Sequence, residues 1–477
     1  MAIEEASVLE PGKLARPKES NVESKIAPVE KVKIKSLTAG ARIEEAFLRF
    51  CTNVIEAPER GGKFPEKYSN LTSEELLSLI SHNGERVATH GNWDKALEKR
   101  RIIDAIRIVE KHKDQSAIVH TEEDLENPLG NLGNVRIFLF SDFHYAPSNV
   151  KTGINVEAFR RYFPQRVAEH VSDEIAQRKD FGNVKGEISE NDENLILRWV
   201  MLETARHQFM KWTTDVVAKQ QLQPEKDQST PIIFALGDNV HAGAFLLDQL
   251  AINTELRGLV DELDLRRKTQ SNKQVGSGKT TRLLELAGNH DEDSRNPDAF
   301  EMLSELYGHK VFTQEVDGDV MIAALDTNIE NPVWVKQFTE RASERGKTLL
   351  EKRRELQEQV IEKIKQHKGP IVLVGHNPSR LIDAFAVKRD LIQNSNIRVI
   401  VGGHTHTENH FELPFKNKKG ETITMHVLES VVRIRDGRPL PPKLYSLDIR
   451  DGKIGDVRTM QQPKESFDRD YMARLEA

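Results

Sequence analysis

Five short segments carry residue types that bind metals. They are Asp142-Phe-His144, Gly237-Asp238, Gly288-Asn-His290, Gly375-His376 and Gly403-His-Thr-His406. Imidazole and carboxylate together suit Mn²⁺, Fe²⁺/Fe³⁺ or Zn²⁺, and the lack of thiolate argues against a purely soft-metal site. Cys51 is the single cysteine, which excludes an intramolecular disulfide and any cysteine-rich site. Two divalent cations about 3.5–4 Å apart can clamp the attacking and leaving oxygens of an in-line displacement at phosphorus. They also lower the pKa of bound water, so hydroxide is available near neutral pH. The chemistry expected is hydrolysis of a phosphoester by metal-bound hydroxide, with Asp238 as the shared ligand of two metals. No Ser or Cys nucleophile is then required.

Precise placement of such ligands needs rigid elements. Each segment follows a short apolar run that reads as a buried strand: 135–141, 231–236, 282–287, 370–374 and 397–401. In open α/β sheets, ligands bind beyond the carboxyl ends of such strands. Glycine before the ligand allows a sharp turn and close backbone approach. Asp142 with His144, and His404 with His406, are expected to point the same way because side chains alternate in an extended segment.

Around these strands the chain reads in blocks. Residues 1–37, rich in Glu, Lys, Pro and Ser, are expected to form a flexible arm. Residues 38–130 read as a helical region. Ile43, Ala46, Phe47, Phe50 and Val54 share one face, Thr72-Ser-Glu-Glu75 looks like a capping box, and Ile102, Ala105, Ile106 and Val109 share another face. That region carries no catalytic constellation and reads as a packing appendage or a surface for a protein partner. An irregular insertion is expected at about 148–192, within a domain spanning 131–460. A long helix follows at about 192–220 and a charged one at 338–367. Two strands flank the Asp317-Gly318 turn signal, and alternating residues over 422–435 and 443–447 suggest antiparallel strands closing a sheet edge. Residues 461–477 read as a polar tail.

The five segments, in this order, resemble the calcineurin-like metallophosphoesterase superfamily, whose pattern is D-x-H, G-D, G-N-H-D/E, G-H and G-H-x-H. The resemblance spans about 142–406. It implies an α/β fold of the four-layer α+β type, with two mixed sheets sandwiched by helices and a metal site at the strand carboxyl ends. It further implies that Asp142, His144 and His406 hold one metal, that Asn289, His376 and His404 hold the other, and that Asp238 bridges them. His290 would act on the leaving-group oxygen as an acid or as a stabiliser of developing charge. Each of these histidines alone would read as a structural residue; their combination reverses that reading.

The departures are informative. Protein serine/threonine phosphatases continue the second block as G-D-x-V-D-R-G, whereas Gly237-Asp-Asn-Val-His-Ala-Gly243 lacks the second Asp and the Arg. Purple acid phosphatases carry tyrosine at the position of His241 and lack the equivalent of His144. His241 could orient His290, touch substrate or cap the following helix. Asn239 and Arg295 are further candidates for substrate contact. Gly276-Ser-Gly-Lys-Thr280 imitates the end of a phosphate-binding loop, but Lys273 stands where that pattern needs glycine.

The expected function is hydrolysis of a small phosphoester, whether a phosphodiester, a nucleotide or a phosphomonoester. A non-catalytic interaction module on the same fold and a nuclease are the alternatives. With 69 Lys+Arg against 75 Asp+Glu, the net charge of −6 argues mildly against nucleic acid as a partner without excluding it. The first residues lack a secretory pattern and no run approaches a membrane span, so a cytoplasmic protein without a membrane partner is expected.

Overall fold

Alternate residues of the central strands feed two different cores. In β1 (Val135–Phe140), Val135, Ile137 and Leu139 face one cluster while Phe138 and Phe140 face another. Strand β2 (Thr230–Ala235) pairs with β1 in parallel and splits the same way, with Ile232 and Phe234 on one side and Ile233 and Ala235 on the other. Both faces are covered, which is why these strands are apolar from Ile137 to Phe140 and from Ile232 to Ala235. Each large side chain so buried contributes about 1.5–3 kcal/mol.

The computed structural model describes residues 127–144, 190–221, 229–240, 246–271, 281–292, 310–381, 392–435 and 438–475, with Ser294, Pro297, Phe300 and Ser304 singly. The expectations for the arm, the helical region to residue 126, Cys51, His241, Arg295 and the 276–280 loop lie outside them. So does the expected insertion up to residue 189.

Two sheets face each other. The first adds β3 (Arg282–Glu285) beside β2 and, after the separate short pair β10 (Ile434–Arg435) and β11 (Arg438–Pro439), β12 (Lys443–Arg450) antiparallel to β1, with β13 (Lys453–Ile454) and β14 (Arg458–Gln461) both paired to β12. The second runs β4 (Phe312–Val316), β5 (Val320–Ala324), β6 (Ile371–Val374), β7 (Ile397–Gly402), β9 (Thr422–Val427) and β8 (Asn409–Lys416). Ile322, Val372, Val374 and Val401 of the second sheet join Ile137, Ile232 and Leu284 of the first in one core. Helices α1 (Glu190–Gln221) and α2 (Leu246–Ser271) cover the outer face of the first sheet through Phe209, Val217, Ile252, Leu256 and Leu263. After α3 (Pro332–Arg341), helix α4 (Glu344–Gln366) covers the second sheet through Val360, Ile361 and Ile364. The result is the expected four layers, built on two mixed sheets.

Three local expectations change. The single helix over 338–367 is two helices. Ala342 is extended (φ −67°, ψ 147°), and Ser343 restarts the chain by accepting the Gly346 amide on its hydroxyl at 3.0 Å. The strands over 422–435 and 443–447 do not close an edge. Strand β9 lies inside its sheet, parallel to β7, and β12 lies between β1 and the short β13 and β14 in the other. The tail after 460 is not simply polar: β14 leads into α5 (Lys464–Leu475), which buries Phe467 and Tyr471. The hairpin signal holds, with Asp317 (φ 52°) and Gly318 (φ 76°) both left-handed between β4 and β5.

Candidate metal centre

Strands β1, β2 and β3 run parallel in one sheet, and β5, β6 and β7 run parallel in the other. Their carboxyl ends deliver Asp142 and His144, Asp238, Asn289 and His290, His376, and His404 with His406. The turns are tight. Asp142 donates its amide to the Gly237 carbonyl (3.0 Å) and His144 to that of Asp238 (2.9 Å). Asp142, His144, Asp238, His404 and His406 all have positive φ, between 48° and 71°. This corrects the sequence argument for the two D-x-H and H-x-H pairs. Their side chains converge through left-handed turns, not through alternation along an extended strand. Such φ values are strained for residues other than glycine and persist only where surroundings hold them.

Two glycines are required by close approach. A Cβ on Gly288 would sit 2.0 Å from Asp238 Oδ1, and one on Gly403 would sit 2.4 Å from Asp142 Oδ2. Both carboxylates thus rest on backbone. Asp238 Oδ1 accepts the His290 amide (2.8 Å) and Asp142 Oδ2 accepts the His404 amide (2.9 Å). The second oxygen of each carboxylate faces imidazole. Asp238 Oδ2 lies 3.1 Å from His376 Nε2 and 3.8 Å from His290 Nε2, and Asp142 Oδ1 lies 3.3 Å from His406 Nε2. His144 Nε2 and His406 Nε2 are 2.8 Å apart.

These distances suit ligation. Two atoms bound at about 2.1 Å and at right angles to one ion lie about 3 Å apart. Three groups each bring ligand atoms within 4.8 Å: Asp142–His144–His406, His144–Asp238–His290 and Asp238–His376–His404. Asn289 Oδ1 and His404 Nδ1 are buried and make no hydrogen bond among the described residues. Burying unsatisfied polar atoms is costly, and a cation between them removes that cost. His376 Nδ1 lies 3.0 Å from the Leu236 carbonyl. That contact selects the tautomer with the proton on Nδ1 and leaves Nε2 facing the centre.

The electrostatics fit the same reading. Burial works against ionised Asp238, yet His376 beside it holds its carboxyl well below the usual range. Burial likewise opposes charge on His376, but Asp238 holds its pKa up at about 9. Burial prevails at His144, whose pKa falls to about 4 despite Asp238 and Asp142. It also pushes Asp291 up to about 7, with Asp238 adding to the effect. Carboxylates and imidazoles packed this closely share protons that a dication would displace.

A family model of calcineurin-like phosphoesterases matches residues 135–408, more than half of the chain. The chain belongs to the calcineurin-like phosphoesterase family. No curated protein matches it. The family match covers every strand end described above, and the Asp/His clusters fit the dinuclear divalent-metal site of a metallophosphoesterase.

Beside this phosphoesterase centre lies a cleft of about 360 Å³, whose lining includes Asn289, His290 and His404 together with Asn331, Gln337 and Arg380. Asn239, an expected substrate contact, is 3 % exposed and does not line it. Among the described residues, no helix is long and apolar enough to cross a membrane.

Several supporting residues escaped the sequence reading. Asp291 accepts the amides of Gly288 (2.9 Å) and Val240 (3.0 Å), tying the second and third loops together. Ser430 donates its hydroxyl to the Asp142 carbonyl at 2.7 Å. Glu292 meets Arg353 on α4, and Asn328 donates its amide to the Gly288 carbonyl at 3.0 Å. Asp291 and Glu292 adjoin the Gly-Asn-His block, which is the one signal that could have flagged them. The partners of the others are remote in sequence.

Proposed function

We propose that this chain hydrolyses a small phosphoester, with Asp142, His144 and His406 holding one divalent metal and Asn289, His376 and His404 a second. Asp238 bridges the two. The observation that carries the reading is Asp238 itself. It belongs to two overlapping clusters at once, and one of its oxygens is held by the His290 amide while the other faces the ring nitrogens. Two bound cations would stabilise charge at phosphorus and acidify water. The chain's residues do the rest. The Leu236 carbonyl orients His376, and the Gly288 and Gly403 backbones let both carboxylates approach. His290, anchored through its amide to Asp238, lines the cleft and gives a proton to the departing oxygen.

The test is removal of metal by chelation and assay on aryl phosphomonoesters and phosphodiesters, before and after Mn²⁺ is restored. Activity should vanish and return. A fully metallated protein that hydrolyses no member of a broad phosphoester panel ends this reading.

A further inference from the structure

The cleft next to His290 is a field of hydrogen-bond donors. Three amide side chains in its wall have already committed their carbonyl oxygens internally. Asn331 caps α3, accepting the amides of Val333 (3.1 Å) and Trp334 (3.4 Å). Gln337 Oε1 accepts the Ser294 hydroxyl at 2.8 Å. Asn377 Oδ1 accepts the Arg380 amide at 3.2 Å. Their NH₂ groups make no hydrogen bond among the described residues, so each has two donors to offer. Arg380 adds a guanidinium, a group that carries only donors. No Asp or Glu is among the described residues lining the cleft, in a chain with 75 of them. The α3 amides are taken by Asn331, so the helix end itself is not the anion reader.

A wall of donors with a fixed cation recognises an acceptor-rich anion. The wall also includes Asn289, His290 and His404, whereas Asp142, His144 and His406 do not line it. We infer that the cleft reads a second anionic, oxygen-rich group on the departing side of the substrate, with Arg380 as its charge contact and Asn331, Gln337 and Asn377 as its hydrogen-bond donors. The substrate class is therefore a phosphoester or anhydride whose leaving group is itself phosphorylated, such as a nucleoside diphosphate, and not one with an apolar or cationic leaving group. The hydrolysis balances simply. Water adds to the attacked phosphorus, the P–O bond to the leaving phosphate breaks, that oxygen leaves with the proton from His290, and a proton of the attacking water restores His290. This inference rests on the metallophosphoesterase reading above.

The test compares ADP with p-nitrophenyl phosphate in wild-type protein, Arg380→Gln and Arg380→Lys, all loaded with Mn²⁺. One charge-assisted contact corresponds to about 10- to 100-fold. The ratio of kcat/KM for ADP over p-nitrophenyl phosphate should fall by that factor in Arg380→Gln and recover largely in Arg380→Lys. Calorimetry with methylenediphosphonate, which cannot be cleaved at its bridge, should show the same loss of affinity in Arg380→Gln. Phosphonoacetate, run alongside, distinguishes a second phosphate from a carboxylate: tighter binding of the diphosphonate is expected, and tighter binding of phosphonoacetate overturns the phosphate assignment. An unchanged ratio and unchanged diphosphonate affinity in Arg380→Gln overturn the inference as a whole. A wild-type protein that binds the diphosphonate through Arg380 but cleaves neither ester defeats the enzyme reading and leaves the subsite standing.

Discussion

Replacing Arg353 with methionine removes the only cation that the described residues place in contact with two buried carboxylates under the loop that carries Asn289 and His290. Arg353, Glu292 and Asp326 all have side chains with 0 % exposure. The guanidinium reaches both Glu292 oxygens at 2.8 and 2.7 Å, Asp326 Oδ2 at 2.8 Å and the Ser304 hydroxyl at 2.7 Å. It also lies 4.2 Å from the centre of the Phe300 ring. Taking away one partner of a buried pair costs about 3–5 kcal/mol, because the remaining charge stays desolvated. Methionine fills much of the lost volume, so cavity formation adds little. The cost should depend on pH. Burial already raises the Glu292 pKa, and Arg353 opposes that rise. Without Arg353 the folded-state pKa climbs further above the unfolded one. The folded state then binds more protons, and stability falls as pH rises through that interval. Urea unfolding of Arg353→Met should therefore show a larger deficit at pH 8 than at pH 5. Adding Glu292→Gln should return part of the loss. Because Glu292 lies two residues from His290, kcat should fall while metal content stays near wild type. A deficit below about 1 kcal/mol at pH 8, the range of an exposed pair, would refute the claim that this triad anchors the loop.

Other expected outcomes are more local. His290→Ala should keep both metals, measured by elemental analysis, and lose about 10²–10⁴ in kcat; wild-type turnover would remove its assigned role. Asp238→Ala should weaken both metal sites together, since its carboxylate sits with His144 as well as with His376 and His404; loss of a single equivalent would contradict bridging. His376 without metal holds its proton up to about 9, so metal binding at pH 7.5 should expel protons. Titration in buffers of different ionisation enthalpy measures that release. The same raised pKa stabilises the metal-free fold fully below about 6.5. Its contribution is lost as pH rises to about 9, so the apo-protein melting temperature should drop across that window; a rise would reverse the assignment.

The ligand blocks were legible because their information is local. A buried strand announces itself in about four apolar residues, as Ile137–Phe140 and Ile371–Val374 do, and the glycines and candidate ligands follow within a few positions. The Asp317-Gly318 hairpin was legible for the same reason. Errors came where a local pattern had two physical solutions. Charge-rich periodicity ran unbroken through Ala342 and Ser343, yet a serine cap is as good a helix start as a helix interior is poor for serine. The residues after 460 looked polar, yet among the side chains described there Phe467 and Tyr471 are hydrophobic and turn inward.

From the order and spacing of Asp142, Asp238, His290, His376 and His404, the sequence alone determined the family, the reaction class and the layer architecture. Tertiary structure decided what those residues rest on. Left-handed turns aim the paired ligands, Arg353 reaches Glu292 across 61 positions, and Asn331, Gln337, Asn377 and Arg380 wall one cleft with donors. The physical reason is that a strand end constrains its neighbours through a few bonds. The polarity of a cleft depends on which atoms of remote side chains are already spent, and no spacing along the chain records that.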